Sequence, residues 1–122
     1  MIQFEQWREV ETRMTGKPAV KPGHRETWFH PGQTADFAYR CKGHSMVPTF
    51  YPGELVFIHQ QNTFTDGQIV AVQVGDGITL KRLFRLSDGF KLVPDNKEFQ
   101  PVTITGKDSD QVKVIGVAVA RR

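Results

Sequence analysis

The sequence predicts a single, mainly β domain of antiparallel strands, preceded by a short helix and an extended linker. From residue 35 onward, short segments rich in β-branched and aromatic residues alternate with turn residues at fairly regular intervals. Residues 3–14 instead have the period of a helix, and the segment that follows them is rich in Pro and Gly. We therefore divide the chain into a helix and linker arm at 1–34 and a β domain at 35–122.

The apolar residues that share one face of the predicted helix are Phe4, Trp7, Val10 and Met14. Thr15-Gly16 ends the pattern. One amphipathic helix cannot bury its apolar face alone, so we expect it to pack on its own domain or on a partner. In the linker, Trp28 and Phe29 are expected to anchor the arm onto the core.

The β domain contains six candidate strands and no segment with room for a long helix. The candidate strands are 35–42, 54–60, 68–75, 77–85, 90–94 and 111–122. Turn residues at Gly75-Asp76-Gly77 and at Ser87-Asp88-Gly89 predict two hairpins.

Composition limits the classes of protein to which the chain can belong. With 122 residues, 39% of them hydrophobic, the chain can form one modest core and is short for two domains. A single cysteine, Cys41, excludes an internal disulfide and a multi-cysteine zinc site, which fits a reducing compartment. The N-terminus carries charges where a signal peptide needs an apolar run. We expect a cytoplasmic protein with no membrane span, no metal and no cofactor.

The positive net charge does not by itself indicate nucleic-acid binding. The charge is +3, but the basic residues are scattered along the chain, as in an ordinary solvated surface. The sequence also lacks a helix-turn-helix pattern, zinc-finger spacing and an aromatic RNA-binding signature.

Ser45 is the first candidate for chemistry, because it lies on a tight bend directly before an apolar strand. Gly43 permits a close approach of the backbone, and Pro48 prevents a helix from continuing through the turn. A serine held there can present its hydroxyl beside backbone N–H groups able to stabilise a developing oxyanion. The alternative for this residue is a capping or solvated serine.

A serine hydroxyl needs a base to act as a nucleophile at neutral pH. The four histidines come with no clear orienting acid and are interpreted as surface residues: His24, His30, His44 and His59. Cys41, the other possible nucleophile, is interpreted as a small core residue.

Lys81 is the other candidate base. Strand alternation places it on one face with Thr79 and Leu83, and Arg82 on the opposite face. Loss of water around a lysine disfavours the ammonium and lowers its pKa, so that a neutral amine could take the serine proton. The alternative is an exposed, charged lysine on an edge strand.

Three ordered stretches, 43–58, 66–85 and 91–99, resemble the self-cleaving C-terminal domains of LexA and phage repressors, a family that includes UmuD-like proteins. Ser45 matches the serine of the family's G-x-S-M-x-P turn, and Lys81 matches the lysine of its V-K-R-L strand, with Leu80 in place of valine. Residues 92–99 match a family loop of the form L-x-P-E/D-N. The likeness covers about 35–122.

The resemblance implies a fold of strongly bent antiparallel strands and a serine peptidase with a Ser-Lys dyad. Ser45 would be the nucleophile, Lys81 the general base, and the N–H groups of His44 and Ser45 the oxyanion hole. The implied partners are a second copy, through a terminal strand at 116–122, and the RecA filament or another inducer. DNA would be bound through a domain absent from this chain.

By this resemblance, the chain is expected to be the C-terminal domain of a LexA-type or prophage transcriptional repressor that cleaves its own linker in an SOS-type response. The chain would be part of a longer repressor or a free-standing relative. The family spacing from Ser45 leads back to Val10-Glu11, and the chain contains no Ala-Gly or Cys-Gly pair. The nearest bonds beside small residues are Thr15-Gly16 and Ala19-Val20.

Two alternatives remain open. The first is a non-cleaving dimerisation or regulator-docking module of a phage or mobile-element repressor. The second is a relative of signal peptidases, which the lack of a membrane anchor disfavours.

Overall fold

The computed structural model describes residues 26–122, so the predicted helix and most of the linker lie outside the described residues. These residues form antiparallel strands and one short 3-10 helix at Gly106–Gln111. The strands are β1 (Thr27–Trp28), β2 (Phe37–Arg40), β3 (Leu55–Gln60), β4 (Ile69–Val74), β5 (Gly77–Leu86), β6 (Gly89–Val93), β7 (Val102–Thr105) and β8 (Val112–Arg121). The predicted mainly β fold is confirmed. Within the described residues, no helix has the length and apolar composition needed to cross a membrane.

The strands belong to one sheet in the order β2-β3-β8-β4-β5-β6-β7, and β1 pairs with β8. Both predicted hairpins are confirmed: Val74 pairs with Gly77 across the first turn, and Leu86 with Gly89 across the second. The division of the chain at residues 34 and 35 stays a prediction.

The last strand, β8, lies in the middle of the sheet. Its second half pairs with β3 and its first half with β4. The pairing shifts by one residue between Phe57 and Ile58 and between Ala71 and Val72. Such irregularities bend a strand and increase its twist, so the sheet curves at these two points.

Buried side chains form two apolar clusters that draw on alternate residues of the same strands. One contains Val70, Val72 and Leu83, and the other contains Ala71 and Leu80. Both faces of the central strands are therefore covered, which explains why these segments read as continuous apolar runs.

The sequence analysis did not predict β1 or β7. Thr27 and Trp28 pair with Arg121 and Ala120, within the segment assigned to the linker. Trp28 packs against the core as expected, while the ring of Phe29 lies 5.8 Å from that of Phe50. Two- and four-residue strands have little periodicity of their own, and pairing with a neighbouring strand determines them.

Gly116 offers a direct test of the close approach between β3 and β8. A methyl group added there would lie 2.2 Å from the His59 carbonyl oxygen and 2.7 Å from Ile58 Cγ2. Because the nearest atom belongs to the backbone, we expect Gly116→Ala to lower the free energy of unfolding by about 1–3 kcal/mol in urea denaturation. Gly32→Ala is the control, since the added group meets no atom within 4 Å. Equal stability of the two variants would contradict the described packing.

Candidate functional site

Ser45 lies on a compact turn between β2 and β3, which we call the serine turn (residues 43–50). The N–H of Val47 donates to the His44 carbonyl at 3.2 Å, and the N–H groups of Thr49 and Phe50 donate to the Met46 carbonyl at 2.8 and 3.0 Å. These bonds within the turn fix the bend on which Ser45 is carried. Gly43 enters it with φ of 77°, a left-handed conformation that favours glycine.

The serine turn is held down by its own apolar side chains. Met46 and Phe50 are fully buried, in the same cluster as Leu80 of β5. Ser45, next to Met46 in the turn, is 1% exposed. A buried serine hydroxyl needs a hydrogen-bond partner, which excludes the solvated alternative for this residue.

Lys81 supplies that partner. Its Nζ lies 3.1 Å from Ser45 Oγ and 2.6 Å from Thr79 Oγ1, two residues earlier on the same face of β5. The lysine is 5% exposed, so it is not the exposed edge residue that was the alternative for this position. The structure thus joins the two residues singled out by the sequence.

The end of β6 creates the space for this contact. β6 pairs with β5 as far as Val93 opposite Arg82. The next residue, Pro94, has no N–H to continue the ladder. Among the described strands, none pairs with that side of residues 77–81, which leaves Lys81 accessible to the serine turn.

The residues that leave β6 bind the serine turn from the other side. The backbone N–H of Asn96 donates to the Ser45 carbonyl at 3.0 Å, and its side-chain amide donates to the His44 carbonyl at 2.9 Å. The N–H of Asp95 donates to Met46 Sδ at 3.4 Å. The sequence analysis matched this loop to a family motif but assigned no role to either residue.

An ion pair completes these contacts. Arg82 Nε donates to Asp95 Oδ1 at 2.7 Å, and Arg82 Nη2 to Asp95 Oδ2 at 3.3 Å. The Thr49 hydroxyl, on the serine turn, donates to the same Oδ2. Alternation along β5 could place Arg82 opposite Lys81, but it could not identify Asp95 as the partner, because Asp95 lies outside the strands, two residues after the end of β6.

Among the described residues, a lysine and not a histidine is hydrogen-bonded to the Ser45 hydroxyl. His30 has an exposed side chain. His59 Nδ1 lies 2.8 Å from the Thr34 carbonyl and 3.4 Å from Asp36. His44 has an exposed side chain, and His24 lies outside the described residues. Within residues 26–122, no group of three His, Cys, Asp or Glu side chains could hold a metal ion. Cys41 is fully buried, in agreement with a core residue.

A cavity of about 490 Å³ adjoins the serine turn. Thr49 and Arg82 line it together with the apolar residues Phe29, Ile69 and Ala118. Ser45 and Lys81 are not among the residues that line it, so the buried hydroxyl and amine lie next to this space through Thr49 of the serine turn and Arg82 of β5. A neutral amine at this distance can accept the hydroxyl proton, the geometry required of a nucleophile and its base.

The buried packing of Met46 predicts that this residue, more than Ser45, stabilises the fold around the site. We expect Met46→Ala to lower the free energy of unfolding by about 2–5 kcal/mol, because it leaves a cavity under the turn. Met46→Leu, the matched control, keeps the volume and should cost less than about 1.5 kcal/mol. Ser45→Ala removes one hydrogen bond and should cost about 1 kcal/mol. Urea denaturation measures all three, and an equal loss for Met46→Ala and Met46→Leu would contradict this packing.

Comparison with known proteins gives the family of the chain. The model of the Peptidase S24-like family matches residues 13–119. A LexA repressor of Pseudomonas chlororaphis is 35% identical over 116 residues, covering 88% of this chain and 56% of the relative. That of Hahella chejuensis (strain KCTC 2396) is 34% identical over 98 residues, covering 79% and 48%. The chain spans about half the length of the curated relatives it matches. With a buried Ser-Lys contact and a family model that matches most of its length, the chain belongs to the Peptidase S24-like family.

Proposed function

We propose that this chain is a self-cleaving serine peptidase and dimerisation domain of a LexA-type or prophage transcriptional repressor. The observation that supports it is the contact of 3.1 Å between Lys81 Nζ and Ser45 Oγ, both nearly removed from water. A structural hydroxyl does not need a lysine, and a lysine is costly to bury. A pairing kept despite that cost is best explained by its chemistry.

In the proposed mechanism, the neutral amine of Lys81 takes the proton of the Ser45 hydroxyl while Oγ attacks the scissile carbonyl carbon. The carbonyl oxygen becomes an oxyanion, which the backbone N–H groups of His44 and Ser45 would stabilise. When the C–N bond breaks, the Lys81 ammonium returns the proton to the leaving amine. The C-terminal fragment leaves with a free amine, and the N-terminal fragment remains as an ester on Ser45.

Hydrolysis of the ester uses the same two groups. A water molecule gives a proton to Lys81 and adds to the ester carbonyl, and the Ser45 oxygen leaves with the proton that Lys81 had gained. The products are a carboxylic acid and the regenerated hydroxyl. Thr79 Oγ1, 2.6 Å from Lys81 Nζ, would orient the amine throughout the cycle.

The partners are proposed from the family likeness. The relatives named above are repressors, so DNA would be bound by another part of the full protein, and the RecA filament or another inducer would trigger cleavage. Dimerisation would bring two copies together near the terminal strand. Because β8 already pairs with β3 and β4 within one chain, a second copy would meet its end beside β1 rather than replace either neighbour.

Cleavage at alkaline pH tests the proposed peptidase. As the pH rises, more of the Lys81 ammonium loses its proton, so we expect a defined fragment to appear faster at pH 10 than at pH 7. Ser45→Ala and Lys81→Met should yield none, and mass spectrometry of the fragment identifies the bond.

The same incubation with an added peptide of the upstream linker separates a missing substrate from an inactive site. Cleavage of the added peptide by the wild-type chain, and not by Ser45→Ala, would support the peptidase with its substrate supplied in trans. Identical behaviour of wild type and Ser45→Ala in both incubations would exclude the enzyme.

The second candidate function is an interaction module that has lost cleavage. The absence of an Ala-Gly or Cys-Gly pair from the sequence favours it. Both functions require association, so we expect the wild-type chain to sediment as a dimer at high micromolar concentration. A monomer at that concentration would contradict the proposed dimerisation and leave the chemistry of Ser45 to the cleavage experiment.

A further inference from the structure

The carboxylate of Asp95 joins the strand that carries Lys81 to the turn that carries Ser45. One of its oxygens accepts from Arg82 of β5, and the other accepts from both Arg82 and the Thr49 hydroxyl of the serine turn. The Asp95 side chain is 13% exposed and that of Arg82 is 39% exposed, so the carboxylate is largely removed from water while the guanidinium is partly solvated. A two-point contact between a guanidinium and a carboxylate fixes direction as well as distance.

Arg82 is itself fixed on the other side. Its Nη1 donates to the Gly67 carbonyl at 2.8 Å, on the segment before β4. This bond restrains the guanidinium of Arg82. The Asp95 carboxylate is therefore bound to a group that is itself held by the segment before β4. Arg82 also follows Lys81 directly in β5, so the proposed base and the residue that binds Asp95 lie on the same strand.

Asn96 extends the same connection to the reacting residue. Its N–H holds the carbonyl of Ser45, and its side chain holds the carbonyl of His44. The loop thus grips the turn at Thr49, at Met46 and at the two residues on which the chemistry depends. Lys81, by contrast, contacts the turn through the Ser45 hydroxyl.

We infer that Asp95 is a positioning residue, which through Arg82 and Thr49 sets the separation of Ser45 Oγ from Lys81 Nζ. This inference rests on the proposed function and adds a positioning residue to that site. Removal of the carboxylate should let the turn move relative to β5 while the apolar anchors Met46 and Phe50 keep it folded. The result would be a folded protein with a slow nucleophile.

The test measures the reactivity of Ser45 without any peptide substrate. An alkyl fluorophosphonate forms a phosphorus–oxygen bond to the serine and releases fluoride, and the added mass is counted on the intact full chain. We expect Asp95→Asn to lower the maximal labelling rate by about ten- to a hundredfold, since small displacements of reacting groups have effects of this size. The reagent concentration for half-maximal rate should stay unchanged.

Further variants distinguish positioning from a loss of stability. Thr49→Val removes one hydroxyl and keeps the shape, and it should slow labelling by about three- to tenfold. Asp95→Glu restores a carboxylate and should react faster than Asp95→Asn. The control is Asp36→Asn, because Asp36 accepts from the Gln60 N–H and lies beside His59, away from the serine turn. It should label at the wild-type rate.

The pH profile separates a positioning role of Asp95 from an effect on the protonation of Lys81. The slower rate of Asp95→Asn should persist at alkaline pH, where the amine of Lys81 is already neutral, because geometry rather than protonation limits it. If Asp95→Asn does not fold, the labelling rate of Thr49→Val is compared with that of the wild type instead.

The labelling rates distinguish a failure of the positioning role from a failure of the proposed peptidase. Equal labelling rates for folded wild type, Asp95→Asn and Thr49→Val would overturn the positioning role and leave the proposed peptidase intact. Equal labelling of wild type and Ser45→Ala would overturn the peptidase and the positioning role together. A rate loss that disappears at high pH would assign Asp95 an effect on protonation and would contradict positioning.

Discussion

The contact between the Lys81 amine and the Ser45 hydroxyl is the constraint on which the rest of the structure depends. Both groups are nearly removed from water, at 5% and 1% exposure. Polar groups are buried at a cost in free energy unless they have partners, so the surrounding residues must hold these two side chains together. Thr79 gives the amine a second contact, and the fully buried Met46 anchors the turn that carries the serine.

Three features of the chain bring this pair together. β8 lies in the centre of the sheet and brings β3, which follows the serine turn, into the same sheet as β4 and β5. β6 stops before Pro94, which leaves the side of β5 at Lys81 open to the turn. Asp95 and Asn96 follow the end of β6. Asn96 donates hydrogen bonds to the serine turn, and Asp95 accepts from Arg82. The end of one strand thus leaves room for the serine turn at the base and supplies the residues that bind the turn.

Sequence reasoning predicted the parts governed by local pattern. Alternation gave the long strands and placed Thr79 beside Lys81, and the turn residues gave both hairpins. β1 and β7 were not predicted, because strands of two and four residues show no clear period. The partners of Arg82 were not predicted either, because they lie on loops outside its strand. Ser45 and Lys81 were recognised by their match to ordered family motifs; neither position alone distinguished a catalytic from an ordinary residue. Their contact distance and burial required the structure.

The charge on Lys81 tests the central claim most directly. In a chain with isotope-labelled lysine nitrogens, NMR follows each amine as the pH is raised. If Lys81 is a desolvated base, its signal should change to that of a neutral amine at least about one pH unit below the exposed Lys91 and Lys97. A Lys81 signal that changes together with those two exposed lysines, or at a higher pH, would contradict the account.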